Sequence, residues 1–347
     1  MRHLLNTLFV STQGAWLSKD GENIVVHLDR DTTKRYPIHI LESVVCFGDV
    51  NATHPLMGFC AEKGVALTYL DEHGRFIARM QGPVRGNVLL RRQQYRLADD
   101  GKATIVIARN MLIGKISNSR AVLLRAARET RDGGTPNGAR SALSVAAKYL
   151  GDTVKDLDRP LSLDVLRGKE GDAARHYFDV FDHMIVAQKE HFRFTERNRR
   201  PPTDNVNALL SYVYSLLTND IESALEGVGL DPAVGYLHRE RPGRPSLALD
   251  MMEEFRSWLA DRLVLSLINL KQVRPDGFSC SESGAVMMSG DTKKAVLNAW
   301  HERKQDELTH PYLGEKMAIG LLPHMQARLL ARHIRGDLAS YPPFVWK

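Results

Sequence analysis

Cysteine is scarce. The 347-residue chain has three, Cys46, Cys60 and Cys280, and no two of them form a CxxC pair. Disulfides persist in oxidising compartments, where small secreted domains carry many. An odd, sparse count excludes such a framework and points to a reducing compartment. Long apolar runs are missing too: no stretch of about 18 apolar residues occurs, so no transmembrane helix is expected. The N-terminal stretch MRHLLNTLFVSTQGAWL carries polar residues every few positions. That is unlike the apolar core of a secretory signal. Internal repeats and low-complexity tracts are absent as well. These absences predict a cytoplasmic protein with no membrane partner.

What is present is an ordinary apolar share, 43%, with a net charge of +6. The apolar share is enough for a sizeable core. The length suggests about two domains. The basic balance permits an anionic partner without requiring one.

The first part of the chain reads as β-rich. Leu5 to Ser11 alternates loosely, and Lys19-Asp20-Gly21 is a turn signal. Ile24 to Leu28 reads as the returning strand. Arg35 to His39 and Ser43 to Phe47 continue the pattern. A short helix follows, with Thr53 as candidate N-cap and Gly64 as candidate stop. Val65 to Leu70 and Arg75 to Met80 read as a hairpin around Asp71-Glu72-His73-Gly74. No catalytic cluster is visible here. His27, His39, His54 and His73 are scattered, as surface or packing residues are.

Gly82 to Gly86 reads as a linker, and the composition then turns helical. The expected architecture is therefore α+β and multidomain. A small β-rich N-terminal domain, residues 1–82, precedes a larger all-α domain, residues 83–347. Helices are expected over Val88 to Leu97, Ala103 to Leu112, Ser119 to Thr130, Ala139 to Leu150 and from Asp164 on. Thr203 to Leu217, Asn219 to Glu226, Ala260 to Leu270, Thr292 to Gln305 and His310 to Ile334 follow.

Three stretches carry chemistry. In LRGKEGDAARHYF, Glu170 is in register with Ala173, Ala174 and Tyr177, on one helix face. A carboxylate on the core side is costly unless it is paired or binds a cation. A solvated glutamate complementing the helix dipole is the alternative that spacing leaves open. The second stretch, His191 to Pro202, has Arg193, Arg197, Arg199 and Arg200 with Phe192 and Phe194 interleaved. Such a run can grip phosphates and stack on bases, or be a solvated basic loop.

The third stretch, GYLHRERPGRPSLALDMMEEFR, puts His238 ahead of an arginine-rich turn and a helix with Ser246 as candidate N-cap. On that helix Asp250 and Glu253 are neighbours across one turn. Glu253 shares its stripe with Ser257, Ala260 and Val264, so it is the expected inner carboxylate. Asp250 can assist. Glu254 shares a stripe with Trp258 and Asp261 and is expected on the half-exposed, solvated side. One imidazole with two or three carboxylates suits Mn²⁺ or Mg²⁺ better than structural zinc. Arg239, Arg241 and Arg244 could clamp phosphate oxygens. A hydrogen-bonded loop histidine beside acids that favour a helix N-terminus is the plain alternative.

These three stretches, LRGKEGDAARHYF, RNRRPPTDNVNALLSYVYSLL and GYLHRERPGRPSLALDMMEEFR, resemble the CRISPR-associated integrase family (Cas one). They do so in family order and across essentially the whole chain, and their wording is most like the type I-C variant. The resemblance implies a β-rich N-terminal domain and an all-α catalytic domain. It implies Glu170, His238 and Glu253 as metal ligands for Mg²⁺ or Mn²⁺, with Asp250 as an auxiliary catalytic residue. The implied activity is a metal-dependent DNA endonuclease/integrase that inserts spacers into a CRISPR array. A prespacer 3′-hydroxyl attacks a repeat-boundary phosphodiester. The implied partners are double-stranded DNA, a second copy of the chain through the β-domain, and a small companion protein (Cas two). The arginines at 199, 200, 239, 241 and 244 then face the DNA backbone. A branched-DNA nuclease or resolvase, and a non-catalytic DNA-binding scaffold, are the competing readings.

Overall fold

The computed structural model describes residues 7–28, 32–41, 43–71, 76–80, 82, 88–130, 138–199 and 201–346. The chain divides into two compact units. One comprises Met1–Gly86 with Trp300–Leu308 and Met317–Leu322; the other comprises Asn87–Ala299, Thr309–Lys316 and Pro323–Lys347.

The first unit is built from strands β1 (Thr7–Val10), β2 (Trp16–Asp20), β3 (Asn23–His27), β4 (Thr33–Pro37), β5 (Ser43–Phe47) and β6 (Asn51–Ala52). Helix α1 (His54–Lys63) and strands β7 (Ala66–Leu70) and β8 (Phe76–Met80) follow. Two four-stranded sheets result, ordered β1-β5-β7-β8 and β4-β3-β2-β6. β1, β5 and β7 run parallel, and β8 closes that sheet antiparallel to β7. Every residue of β5 is buried, as a central parallel strand covered on both faces should be. The turn signal at Asp20-Gly21 is a hairpin, with Asp20 opposite Asn23 and Gly21 at φ +58°. Leu17, Ile24, Val26, Val44, Cys46, Leu56, Cys60 and Leu67 meet in one core between the sheets and α1. Thr53 and Gly64 do bound α1. Gly64 caps it at φ +72°, while the Thr53 side chain makes no cap bond. The Glu72–Gly74 tip and most of the linker lie outside the described residues.

The second unit is helical: α2 (Val88–Asp99), α3 (Gly101–Glu129), α4 (Ala139–Asp156), α5 (Leu163–Asp179), α6 (Asn205–Val228), α7 (Ser246–Phe255) and α8 (Arg262–Asn269). Short strands β9 (Phe278–Cys280) and β10 (Val286–Met288) precede α9 (Gly290–Gln305). Strands β11 (Glu307–Thr309) and β12 (Lys316–Ala318) then lead to α10 (Leu322–Ile334). Among the described residues no helix is long and apolar enough to cross a membrane.

The helices differ from expectation at three places. Ala103–Leu112 and Ser119–Thr130 are one helix, α3, started by Asp100, whose carboxylate accepts from the N–H groups of Lys102 and Ala103. Gly114 inside it is a packing site and not a break. A Cβ there would come within 3.1 Å of Glu254 Cγ and Pro343 Cβ. Thr203–Leu217 and Asn219–Glu226 are likewise one helix, α6, because Ile221, Ala224 and Leu225 continue its buried face. The helix expected from His310 begins only at Leu322; the preceding stretch holds Pro311 and a left-handed Gly314. α7 and α8 are joined by a π-helical turn, Arg256–Asp261. Such turns re-aim side chains inside an otherwise regular helix and recur at functional sites.

Candidate active site

α3 is the spine of the site. Its face of Ala108, Met111, Leu112 and Ile116 is fully buried, and Lys115 falls on that face. α5 and α7 pack beside it, so Lys115 meets a carboxylate from each. Its Nζ pairs with Glu170 Oε1, and with Glu253 Oε2 at 2.9 Å. On the other side of Glu253, Arg256 reaches Oε1 at 2.7 Å. Glu253 is 2% exposed. Burial alone would push its carboxyl up; Arg256, Lys115 and His238 outweigh that and hold it well below the usual carboxylate range. Glu170 is only part-buried. A cavity of about 60 Å³ opens beside these groups, lined by Lys115, Glu170, Tyr177, Glu253, Ser257 and Asp261 among others.

His238 is fixed by Asp250. The Asp250 carboxylate is fully buried. One oxygen accepts the backbone N–H of Tyr236 at 2.6 Å and of Leu237 at 2.9 Å. The other accepts the His238 N–H at 2.8 Å and lies 2.6 Å from the ring Nδ1. A carboxylate acceptor calls for a proton on Nδ1, which leaves the Nε2 lone pair for a ligand. The turn needs Gly235: a Cβ there would stand 2.7 Å from Ser246 Cβ and 3.1 Å from Asp250 Oδ2. Ser246 is not an N-cap. It is the first residue of α7, and its hydroxyl donates to the Arg239 carbonyl at 3.2 Å.

Glu254 is a correction. Expected on a solvated side, it is fully buried, as are its stripe mates Trp258 and Asp261. The C-terminal tail covers that face. Glu254 accepts from Tyr341 Oη at 2.8 Å, Phe344 N at 2.8 Å and Gln326 Nε2 at 3.0 Å. Burial still pushes its carboxyl up to about 8. Asp261, bonded by Tyr177 and Tyr214, is likewise pushed up by burial, to about 6.

The basic run is the second correction. Phe192 and Phe194 are buried, against Phe278 and against Phe178 and Phe181 respectively, and are closed to bases. Arg197 is pinned to Asn207 and Ser211 Oγ and lies over the Tyr214 ring. Alternation in sequence cannot tell a stacking platform from an aromatic core. Arg193 and Arg199 are exposed; Arg200 lies outside the described residues. Arg239 and Arg241 are exposed, with Arg239 3.4 Å from Asp164, and Arg244 is half-buried.

The Lys115 ammonium thus joins Glu170 of α5 to Glu253 of α7, and His238, held by Asp250, bears electrostatically on Glu253. Lys115 and Arg256 join them without having been singled out in the sequence. For Lys115 the readable signal is a cation at helical spacing from Ala108, Met111 and Leu112; for Arg256 it is a place one turn after Glu253. Two carboxylates and an imidazole have the donor chemistry of a hard divalent cation. Among the described residues, buried Glu253 Oε2 makes no hydrogen bond, and Lys115 pairs with it as an ion. Among the described residues no three His, Cys, Asp or Glu side chains are already gathered to hold a metal ion. The ammonium of Lys115 lies between the two carboxylates.

An acidic pair on a helical scaffold and a carboxylate-oriented histidine, in a chain that also carries a β-rich unit, define a candidate hydrolytic or transfer site on an α+β protein. The comparisons give the family. The model of CRISPR associated protein Cas1 matches residues 8–302. The chain is 54% identical, over the full length of both, to CRISPR-associated endonuclease Cas1 1 of Chlorobaculum tepidum. It is 48% identical, again over both full lengths, to CRISPR-associated endonuclease Cas1 1 of Moorella thermoacetica. A CAS1 protein from Thermotoga maritima shares the fold at TM-score 0.80, with 22% identity, over 95% of this chain and 97% of that one. The chain belongs to the CRISPR-associated Cas1 family.

Proposed function

We propose that this protein is a metal-dependent DNA endonuclease/integrase that inserts new spacers into a CRISPR array. Relatives named endonucleases at 48–54% identity along the whole chain support this reading. The observation that carries it is that Glu170 and Glu253 share the Lys115 ammonium while the Asp250-oriented His238 bears electrostatically on Glu253. The substrate is double-stranded DNA, prespacer and repeat, and the joining step is transesterification. The prespacer 3′-oxygen bonds to the repeat phosphorus, the old P–O bond breaks, and its electron pair leaves on the released 3′-oxygen. Glu170, His238 and Glu253 would hold Mg²⁺ or Mn²⁺, and the ion would supply Lewis-acid stabilisation of phosphoryl charge there. Asp250 holds the His238 ring in its tautomer. Arg256 keeps Glu253 ionised. Arg199, Arg200, Arg239, Arg241 and Arg244 meet the DNA backbone. The β-rich domain contacts a second copy, and the small companion protein Cas2 bridges two such dimers. The chain's motif wording resembles the type I-C variant, and that is the subtype proposed.

The test is strand transfer of a labelled prespacer into a supercoiled repeat array with Mn²⁺ or Mg²⁺. Joined product is expected from the wild type and lost in Glu170→Gln, His238→Ala and Glu253→Gln. Cleavage without joining leaves a branched-DNA nuclease. Activity unchanged in all three variants leaves a DNA-binding scaffold.

A further inference from the structure

The ammonium of Lys115 lies between two acids, one from α5 and one from α7. It pairs with Glu170 Oε1 and stands 2.9 Å from Glu253 Oε2. Lys115 is 8% exposed, so this charge is withdrawn from water and held by those carboxylates. Its contact with Glu253 is an ion pair without the geometry of a hydrogen bond, since Oε2 remains unsatisfied. The other oxygen, Oε1, is by contrast firmly held by Arg256 at 2.7 Å. A cation is thus centred on the two acids that the reading above gives to a metal ion, and it is loosely fitted to one of them. A second cation between the same oxygens would meet it at short range, where like charges repel strongly in a low-dielectric site. The lysine has somewhere to go. The cavity beside it, about 60 Å³, is also lined by Ser257, whose buried hydroxyl has no hydrogen-bond partner among the described residues.

We propose that Lys115 is a resident counter-cation of the acidic pair, which a divalent ion must displace to bind Glu170 and Glu253. The lysine holds the two carboxylates together in the metal-free protein and sets the affinity for the metal by competing for them. Lysine suits this role better than arginine. Its flexible four-carbon stem carries a point charge that can pivot, whereas a guanidinium fork would lock onto the carboxylates. The inference rests on the metal-site reading above.

The experiment measures Mn²⁺ affinity of the full chain without DNA, from the free-ion electron paramagnetic resonance signal. Wild type, Lys115→Met, Lys115→Gln, Lys115→Arg and Glu253→Gln are compared. Lys115→Met keeps the length of the buried stem; Lys115→Gln is the second neutral variant should the first fail to fold, with thermal melts checking both. The neutral variants are expected to bind Mn²⁺ about tenfold or more tightly than wild type, through removal of one like charge at contact range. Lys115→Arg is expected to bind no more tightly than wild type. Metal-free Lys115→Met should melt lower than metal-free wild type and gain more from added Mn²⁺. Equal or weaker binding by the neutral variants, with Glu253→Gln abolishing binding, overturns the displacement and leaves the metal site standing. No saturable binding in wild type or neutral variants, or binding that survives Glu253→Gln, overturns both.

Discussion

Asp250 and His238 are bonded twice. One carboxylate oxygen accepts the His238 backbone N–H at 2.8 Å and lies 2.6 Å from its ring Nδ1. The same carboxylate takes the N–H groups of Tyr236 and Leu237, so one side chain orders the turn and orients the imidazole. Asp250→Asn keeps the shape but turns one acceptor into a donor aimed at N–H groups. Strand transfer is expected to fall about 10–100-fold, the usual effect of losing a carboxylate behind a ligating histidine. Parallel melts and activity assays check this. If His238 matters only through packing, Asp250→Asn will lower the melting temperature with activity per folded molecule unchanged.

The turn itself depends on Gly235. A Cβ there would sit 2.7 Å from Ser246 Cβ and 2.9 Å from the Ser246 carbonyl carbon, and backbone cannot swing aside as a side-chain end can. Gly235→Ala is expected to destabilise by about 1–3 kcal/mol, as overpacking does. It should also move His238 away from Asp250. Denaturant midpoints give the first effect. The second appears as a changed Nδ1 resonance of His238 by NMR in the variant that remains folded.

Much of this was legible in the sequence, and the failures share one cause. The periodic strands and helices, and the inward choice of Glu253, follow from local spacing, because the neighbours that decide them lie within two turns. Glu254 was misjudged because what buries it is a tail some ninety residues on, where Phe344 N donates to it. The roles of Phe192 and Phe194 were misjudged for the same reason: Phe178, Phe181 and Phe278 close over them from other segments. Lys115 was overlooked although its place on an apolar stripe could be read, since long helices often carry lysines that reach back to water. The expected helices Ala103–Leu112 and Ser119–Thr130 are one helix, and Gly114 between them packs against Pro343 and Glu254 from distant segments.

Glu254 carries a pH signature. Its carboxyl is pushed by burial from 4.5 to about 8, so the folded chain binds a proton that the unfolded chain releases above its ordinary value. Stability contributed by that proton is therefore full below about pH 4.5 and lost as pH rises through 8. Asp261, near 6, works in the same sense at lower pH. His310, depressed by burial below its ordinary 6.5, works in the opposite sense around and below that value. The interval from pH 7 to pH 8.5 isolates Glu254. Over it the urea midpoint is expected to fall in the wild type and to stay flatter in Glu254→Gln, whose amide suits the same partners while remaining neutral. A wild-type midpoint that rises across that interval would refute the assignment.

The tail that covers Glu254 is held by two residues of α3: Asn110 donates to the Tyr341 carbonyl at 3.0 Å, and Asn118 takes the residues beyond it. Asn118 donates to the Glu254 carbonyl at 2.7 Å and to the Phe344 carbonyl at 2.9 Å, and accepts from Trp346 N at 2.7 Å. Phe344 in turn stacks on Phe255 and Trp258, with centroids 5.7 and 5.0 Å apart. Asn118→Leu removes all three bonds; the Glu254 carbonyl keeps the Trp258 indole N–H at 3.0 Å, while the Phe344 carbonyl and the Trp346 N–H are left to find other partners. The expected cost is about 1–3 kcal/mol for each group left unsatisfied, and the tail should be the first segment to loosen. Carboxypeptidase trimming followed by intact mass measures that directly. Wild type should resist trimming within the tail, and Asn118→Leu should lose residues back toward Tyr341 under the same conditions. Because the loosened segment lies against the residue next to Glu253, strand transfer should fall alongside trimming. Trimming with full activity retained would mean that the tail stabilises the helix without positioning Glu253.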